Sequence, residues 1–479
     1  MASLPHRQQA PADAAALPRQ LQRLRDAAAR EPYPDVVTRR RRLAALESLL
    51  RENMEPIAEA LRADFGHRSV HETRLLELFP SLEGIKHARR HLKSWMKPER
   101  RPVSLWFRPG RARVIRQPLG VVGIIVPWNY PVYLAVGPLT CALAAGNRAL
   151  VKMSEYTPAT GELFARLVER YFSPDEVGVV LGDAQVAEDF ARLPFDHLLF
   201  TGSTRVGREV MRACADNLTP VTLELGGKSP AIIGPDYDIA KAAERILVGK
   251  CMNAGQTCIA PDYVLAPSGR EEEFIAAARA VVAACYADIL NSPDYTSIHS
   301  ARHYHRLLAT LEDARQKGAR IVDLASPPAR PDSHRRRLPP LALLDVDERM
   351  QVMQEEIFGP LLPIVPYGDL EEAIAYVNAR PRPLALYYFD RDRARIERVL
   401  HGTVSGGVTV NDTILHIAQD DLPFGGVGPS GMGHYHGRDG FDAFSKKKAV
   451  FQQSAVNAMG LFKPPYGRLF EHLLALLLR

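Results

Sequence analysis

A chain of 479 residues exceeds what one hydrophobic core organises and implies two or three packed units. Its 46% hydrophobic and 24% charged content is that of a soluble globular protein, and no apolar run reaches the ~20 residues of a membrane span, so stable membrane insertion is excluded. The formal net charge of +6 includes the clusters Arg39–Arg42 and Arg335–Arg337, which are short and lack interleaved aromatics, so they read as solvated faces and not as a nucleic-acid surface.

In chain order, Met1–Pro18 is rich in Ala, Pro and Gln without a secretory pattern, and residues 1–20 read as a disordered tail. A helical, charge-rich region follows to residue 100. Val103–Phe107 and Ala112–Ile115 flank Pro109-Gly110 and predict a hairpin. Strands are then predicted at Val121–Val126, Ala149–Lys152, Val179–Leu181, His197–Thr201 and Pro220–Leu225. Helices alternate with them, at 131–145, from Pro158, and over Thr204–Asn217. That alternation predicts an α/β fold with a doubly wound parallel sheet and ligands at the carboxyl ends of its strands. From Gly226 a second α/β unit begins, with a helix N-capped by Asp238, a strand at Tyr263–Ala266 and a helix over Arg270–Tyr286. Asp323–Arg337 reads as a surface loop. The run Leu473–Leu478 reads as a helix docked on its own chain rather than an interfacial anchor. The resulting division is 21–100 with 121–225, then 226–405, with 101–120 and 406–479 forming a small β arm that clasps a second subunit.

The five cysteines are odd in number and contain no C-x-x-C pair, which argues against a disulfide framework or structural zinc and fits a reducing, cytoplasmic setting; no metal site is expected. Cys258 stands out. The apolar positions Ile239, Ala242, Ala243, Ile246 and Leu247 define a helix that Gly255 should stop, leaving the thiol on a polar loop. A buried, inert cysteine is the plain alternative. Gly426–Gly431 matches G-x-G-x-x-G but lacks the flanking strand and helix, so it is rejected as a phosphate loop. Phe200–Gly207 follows a strand and opens a helix, so it suits a pyrophosphate, although an ordinary strand–helix turn explains it equally. Lys152 and Glu155 at a strand end offer a cationic donor and a ribose acceptor, or simply two surface residues. Asn129, flanked by Pro127 and Pro131, is either a rigid amide donor for an oxyanion or part of a proline-braced turn.

Together these segments carry more than any one alone. PWNYP (127–131), VKMSE (151–155), FTGSTRVG (200–207), LELGGKSP (223–230), NAGQTC (253–258), EEIFGP (355–360) and LPFGGVGPSG (422–431), in this order, resemble the aldehyde dehydrogenase superfamily across residues 30–455. GGVTVND (406–412) and GMGHYHG (431–437) are similar to its class 3 branch. FGHRSVHET (65–73), HARRHLKSWM (87–96) and FKPPYGRLFE (462–471) are most similar to bacterial members that oxidise coniferyl aldehyde.

The resemblance implies oxidation of an aldehyde to the acid through a cysteine thiohemiacetal and thioester. Cys258 would be the nucleophile, Glu224 the general base, and Asn129 with the Cys258 N–H the oxyanion donors. Lys152 and Glu155 would hold the adenosine ribose, and Ser203 with its neighbours, Gly202 and Gly207 among them, the pyrophosphate. Glu356 and Phe358 would position the nicotinamide ribose and ring, and Trp128 and Leu225 would also bind the cofactor. NAD is favoured because Glu155 would repel a 2′-phosphate, with NADP possible. A homodimer and an aromatic aldehyde substrate are expected, with medium-chain aliphatic aldehydes as the alternative. A catalytically silent protein of the same fold is the more distant reading. Pocket walls are expected near Trp128, Tyr130, His416 and Phe424.

Overall fold

The computed structural model describes residues 16–478. Three sheets organise them. In the first, β3 (Val121–Ile125), β4 (Arg148–Lys152), β5 (Val177–Val180), β6 (His197–Thr201) and β7 (Val221–Glu224) run parallel in the order 7-6-3-4-5. These strands are almost entirely buried and rich in Val, Leu and Ile, as a sheet covered by helices on both faces requires. The order reverses at β3, so the crevice beside its carboxyl end is the topological switch point where such sheets take ligands. At the far edge β15 (Gly431–Met432) pairs antiparallel with β7. The G-x-G-x-x-G segment therefore ends in an edge strand, and the next helix begins only at Gly437.

The second sheet has seven strands: β8 (Pro230–Ile233), β9 (Tyr263–Pro267), β10 (Arg320–Asp323), β11 (Leu341–Leu344), β12 (Leu361–Tyr367), β13 (Ala385–Phe389) and β14 (Gly407–Val410), in the order 10-11-12-9-8-13-14. All pairs are parallel except β10–β11. The third sheet is antiparallel, with β2 (Arg111–Pro118) between β1 (Glu99–Arg101) and β16 (Ser445–Gln452).

Several expectations are corrected. Val103–Phe107 is not a strand. The hairpin partner of β2 is Glu99–Arg101, and Leu105–Phe107 forms a short 3₁₀ turn with its apolar side chains in solvent, since a lone ribbon offers them no second layer. β14 joins the seven-stranded sheet and β15 the first, so only β16 from the region 406–479 belongs to the arm. Of the expected tail, residues 1–15 lie outside the described residues, whereas Ala16–Arg30 is a helix that buries Leu17, Leu21, Leu24 and Ala27. The terminal leucines lie in a helix, Arg468–Leu477, in which no residue is buried, so it does not dock on its own chain.

The basic run Arg39–Arg42 is a solvated face only at Arg40 and Arg41. Arg39 is buried and donates to the Ala144 and Ala145 carbonyls (3.1 and 2.7 Å), which satisfies orphan acceptors at the end of the helix Tyr133–Ala145. Arg42 is buried against Glu176 (2.9 Å) and Glu31 (3.0 Å). Arg337, also buried, donates to the carbonyls of Leu290 and Ser292.

Candidate active site

Asp238 caps the helix Ile239–Cys251, accepting from the amides of Ala240 (3.0 Å) and Lys241 (3.2 Å), and every apolar position of the predicted stripe is buried. The helix stops four residues before Gly255. Asn253 (φ 51°), Ala254 (φ 52°) and Gly255 (φ 75°) are consecutively left-handed, an arrangement disfavoured for the first two and held only by surrounding contacts. The Asn253 amide donates to Glu72 (3.0 Å), whose other oxygen accepts from Thr296 (2.6 Å). The Asn253 side chain donates to the carbonyls of Asn129 (3.1 Å) and Gln256 (3.2 Å). The Gln256 side chain donates to Ser297 O (3.1 Å) and accepts from His299 N (2.8 Å). The loop bearing Cys258 is thus fixed by neighbours from distant parts of the chain.

The turn 127–131 leaves β3 at the switch point. Asn129 is buried and its Nδ2 donates to Gln256 O (3.1 Å), which brings the amide to the cysteine loop and leaves its second N–H uncommitted there. Arg68 Nη1 donates to Asn129 O (2.9 Å), and its other nitrogen faces Glu77 at 3.0 Å in an ion pair with both side chains inaccessible. Glu77 also accepts from the amides of Val132 (2.7 Å) and Tyr133 (3.1 Å). Neither Arg68, Glu77 nor Glu72 was anticipated as part of the site. Arg68 and Glu72 lie in the FGHRSVHET segment, whose spacing gives no sign that it folds against the turn.

Cys258 is half-buried, and the amides of Cys258 and Ile259 face its sulfur. Burial pushes its thiol well up from the ordinary cysteine range, and the nearby Glu356 and Glu224 carboxyls add to this. Glu224 ends β7, fully enclosed, with neither carboxylate oxygen hydrogen-bonded, and desolvation raises it well above the usual carboxylate range. Burial likewise lifts Glu356 to about 8, with the Asp262 charge next in effect. A thiol and a carboxyl that both resist charging, each in electrostatic reach of the other, are suited to passing a proton between them.

On the cofactor side, Lys152 is buried at the end of β4, not on the surface. Its Nζ donates to Met153 O (2.8 Å) and lies 3.7 Å from Glu155, which is at the surface. Burial lowers the Lys152 ammonium, and the Glu155 charge opposes that shift. Ser203 caps the helix Thr204–Ala215, whose positive end follows the carboxyl end of β6, the neighbour of β3. The Gly202 amide is committed to Glu224 O (3.0 Å), and a Cβ there would meet the Phe200 ring. A Cβ at Gly207 would meet Leu225 at 2.7 Å, so this glycine lets the helix lie close on β7. Trp128 packs edge-on against Phe358 (centroids 5.4 Å) and beside His299 (4.6 Å) and His303 (4.9 Å). Phe358 is left-handed (φ 50°), and a Cβ at Gly226 would occupy the place of the Glu356 carboxyl. Lys228 secures this segment by donating to the carbonyls of Val352 (2.8 Å) and Glu355 (3.1 Å) and pairing with Asp262. A capped helix end, a buried lysine beside a carboxylate and an aromatic–carboxyl wall fit the anionic, sugar and ring parts of a nicotinamide dinucleotide.

The expected pocket walls divide. Trp128 belongs to the Phe358 side, and Tyr130 is buried, hydrogen-bonded to Thr257 (2.7 Å). His416 stacks on Phe424 (5.9 Å, 25°), which stacks in turn on His436 (5.4 Å, 20°). Tyr133 OH meets His436 Nε2 at 3.3 Å. Tyr133 and His436 went unnoticed in sequence, although His436 lies within GMGHYHG.

This arrangement is that of an aldehyde dehydrogenase. Residues 10–450 match the sequence profile described as "Aldehyde dehydrogenase family", and the chain belongs to that family, whose members couple aldehyde oxidation to NAD(P). Among curated relatives, the "Probable coniferyl aldehyde dehydrogenase" of Pseudomonas aeruginosa is 57% identical over 443 residues, 92% of each chain. The "Coniferyl aldehyde dehydrogenase" of a Pseudomonas species is 48% identical over 472 residues, 98% of each. Among solved structures, substrate-bound AldH of Staphylococcus aureus superposes with a TM-score of 0.91 at 38% identity, covering 96% of this chain and 99% of that one. A Mycobacterium tuberculosis aldehyde dehydrogenase complexed with NAD+ gives 0.83 at 29% identity, covering 93% and 92%.

Proposed function

We propose that this enzyme oxidises coniferyl aldehyde, or a closely related aromatic aldehyde, to its carboxylic acid. The carrying observation is the enclosed Glu224 carboxyl, free of hydrogen bonds and in the electrostatic field of Cys258. The names of the two Pseudomonas relatives and the aromatic wall of His416, Phe424, His436 and Tyr133 support the aromatic substrate.

In this reading the Cys258 sulfur adds to the aldehyde carbon, giving up its proton toward Glu224. The new C–O⁻ is met by the free N–H of Asn129 Nδ2 and by the Cys258 amide, donors already fixed in place. The bound dinucleotide supplies the hydride acceptor that no side chain provides. Lys152 and Glu155 hold its adenosine ribose, and Ser203 with the helix seated by Gly202, Gly207 and Leu225 faces its pyrophosphate. Trp128, Glu356 and Phe358 orient the nicotinamide half. Once the carbon has lost hydride, the acyl group remains on Cys258 as a thioester. Glu224, having released the thiol's proton to solvent, takes one from water, whose oxygen forms the new C–O bond as the C–S bond breaks; that proton passes to the departing sulfur and the thiol returns. Glu224 as base favours water over another acyl acceptor. The NAD preference rests on Glu155, which opposes a 2′-phosphate. The enzyme is read as a cytoplasmic homodimer, supported by five free cysteines and by the exposed apolar surface of the arm.

Initial rates of NADH formation without CoA or phosphate test this, comparing coniferyl aldehyde with hexanal. Higher kcat/KM for coniferyl aldehyde is expected. A clear preference for hexanal overturns the aromatic reading, and no NADH from either overturns catalysis.

A further inference from the structure

Helices Phe79–Trp95 and Tyr133–Ala145 pack against each other through small residues. Ser81, Gly84 and Ala88 on the first face Gly137, Thr140 and Ala144 on the second, and a cavity of about 30 Å³ remains between them, lined also by Tyr133, Asp420 and His436. A space this size takes one or two water-sized groups. Small residues alone would leave only a void. Here three polar atoms of its lining, Ser81 Oγ, Thr140 Oγ1 and His436 Nδ1, are buried without any hydrogen-bond partner, and the three residues are 2%, 5% and 6% exposed. Helical Ser and Thr ordinarily satisfy themselves on a carbonyl one turn back, which neither does here. Three unsatisfied groups on residues that line one space call for a polar partner there.

The cavity and the reaction centre have Tyr133 as a common neighbour. Tyr133 lines it, hydrogen-bonds His436 and lies in the electrostatic field of both Cys258 and Asp420. His436 is left-handed (φ 94°), a costly conformation for a non-glycine residue, and this places its ring between Phe424 and Tyr133. Burial holds its imidazole neutral, with a pKa of about 3 and the nearby His416 contributing, so the ring keeps a lone pair for a donor.

We propose that this cavity is the seat of the ring hydroxyl of a hydroxylated aromatic aldehyde, with Ser81, Thr140 and His436 as its partners. The proposal rests on the aromatic reading above and names what that reading leaves open, the groups that recognise the phenol end. The aldehyde carbon lies at Cys258, the aromatic ring runs along Tyr133 and Phe424, and the phenol O–H fills the space between the helices. Ser81 and Thr140 are specificity residues and take no part in the bond changes.

The test measures kcat/KM of the NAD-loaded enzyme for 4-hydroxycinnamaldehyde, cinnamaldehyde and hexanal, in wild type, Ser81→Ala and Thr140→Val. A site built around a hydroxyl rejects the analogue lacking it, so wild type should prefer 4-hydroxycinnamaldehyde to cinnamaldehyde by about tenfold or more. Each variant should lower that ratio about threefold or more, chiefly through the KM for 4-hydroxycinnamaldehyde, and leave cinnamaldehyde oxidation unchanged. Thr140→Val keeps the volume, so it carries the test should Ser81→Ala fold poorly. Equal losses on both aromatic aldehydes, or an unchanged ratio, overturn the subsite. Wild type that prefers aromatic aldehydes without regard to the hydroxyl refutes the subsite alone, whereas a strong preference for hexanal removes the aromatic reading and the subsite together.

Discussion

At Cys258 and Glu224 the same physical fact, desolvation, acts on two groups with opposite demands. A thiol raised this far carries little thiolate at neutral pH in the free enzyme. Alkylation of Cys258 by iodoacetamide, followed by peptide mass spectrometry, should therefore accelerate continuously from pH 7 to pH 9 without levelling. A plateau near pH 7 would show a site that already holds the thiolate. In Glu224→Gln the thiol stays buried but loses the carboxyl that takes its proton, so alkylation should be slower at equal pH. Sustained turnover should drop by about 10²–10⁴, the usual contribution of a positioned base, while a slowed stoichiometric NADH burst persists. Near-normal steady-state rates in that variant would remove Glu224 from thioester hydrolysis.

Among the elements, the one whose role was least visible is the segment from Arg68 to Leu78. It ends in a π-helical turn, Arg74–Leu78, which sets Glu77 beneath the Val132 and Tyr133 amides. Arg68 completes the brace by holding Asn129 O. Removing one partner of a buried pair leaves the other uncompensated, so Arg68→Met should cost about 3–5 kcal/mol of stability. At a temperature where the variant stays folded, kcat should fall more than KM changes, because Asn129 serves the developing oxyanion more than the bound aldehyde. The Arg68→Met, Glu77→Gln double variant, which removes both charges but keeps an acceptor for the Val132 and Tyr133 amides, should recover much of the stability, and unchanged kcat in both would confine the pair to a structural role. Thermal melts and steady-state kinetics decide it. Periodicity located the neighbouring helices and the Asp238 cap within a residue or two because those signals are local. The early break at Asn253 has a long-range cause: Glu72 and Asn129 draw the loop out of helical geometry before Gly255 is reached.

For the whole molecule, the informative feature is what stays uncovered. Leu105, Trp106, Phe107 and Phe451 on the arm, with Leu461, Tyr466 and Leu469 beyond it, are exposed in one chain, and β16 offers a free edge. Apolar surface continuous with an unpaired strand is ordinarily covered by another protein surface. Light scattering behind size-exclusion chromatography should give twice the chain mass, and Phe451→Glu should shift the species toward one chain. A wild-type monomer at micromolar concentration would refute the dimer.

The sequence by itself determined the local and the chemical. Alternating strands and helices, the capped helix before the cysteine, and the ordered motifs around Asn129, Cys258 and Glu224 were legible because each depends on residues a few positions apart. Tertiary structure alone decided what depends on distance in the chain. It buried Arg39 and Arg42 within a run that reads as surface, because Glu31, Glu176 and the end of a distant helix supply their partners. It moved β14 and β15 out of the arm, since strand pairing follows contact and not order. It brought Ser81, Thr140 and His436 to one cavity from three separated segments. No periodicity encodes such a meeting; it arises only when two small-residue helix faces pack and leave space between them.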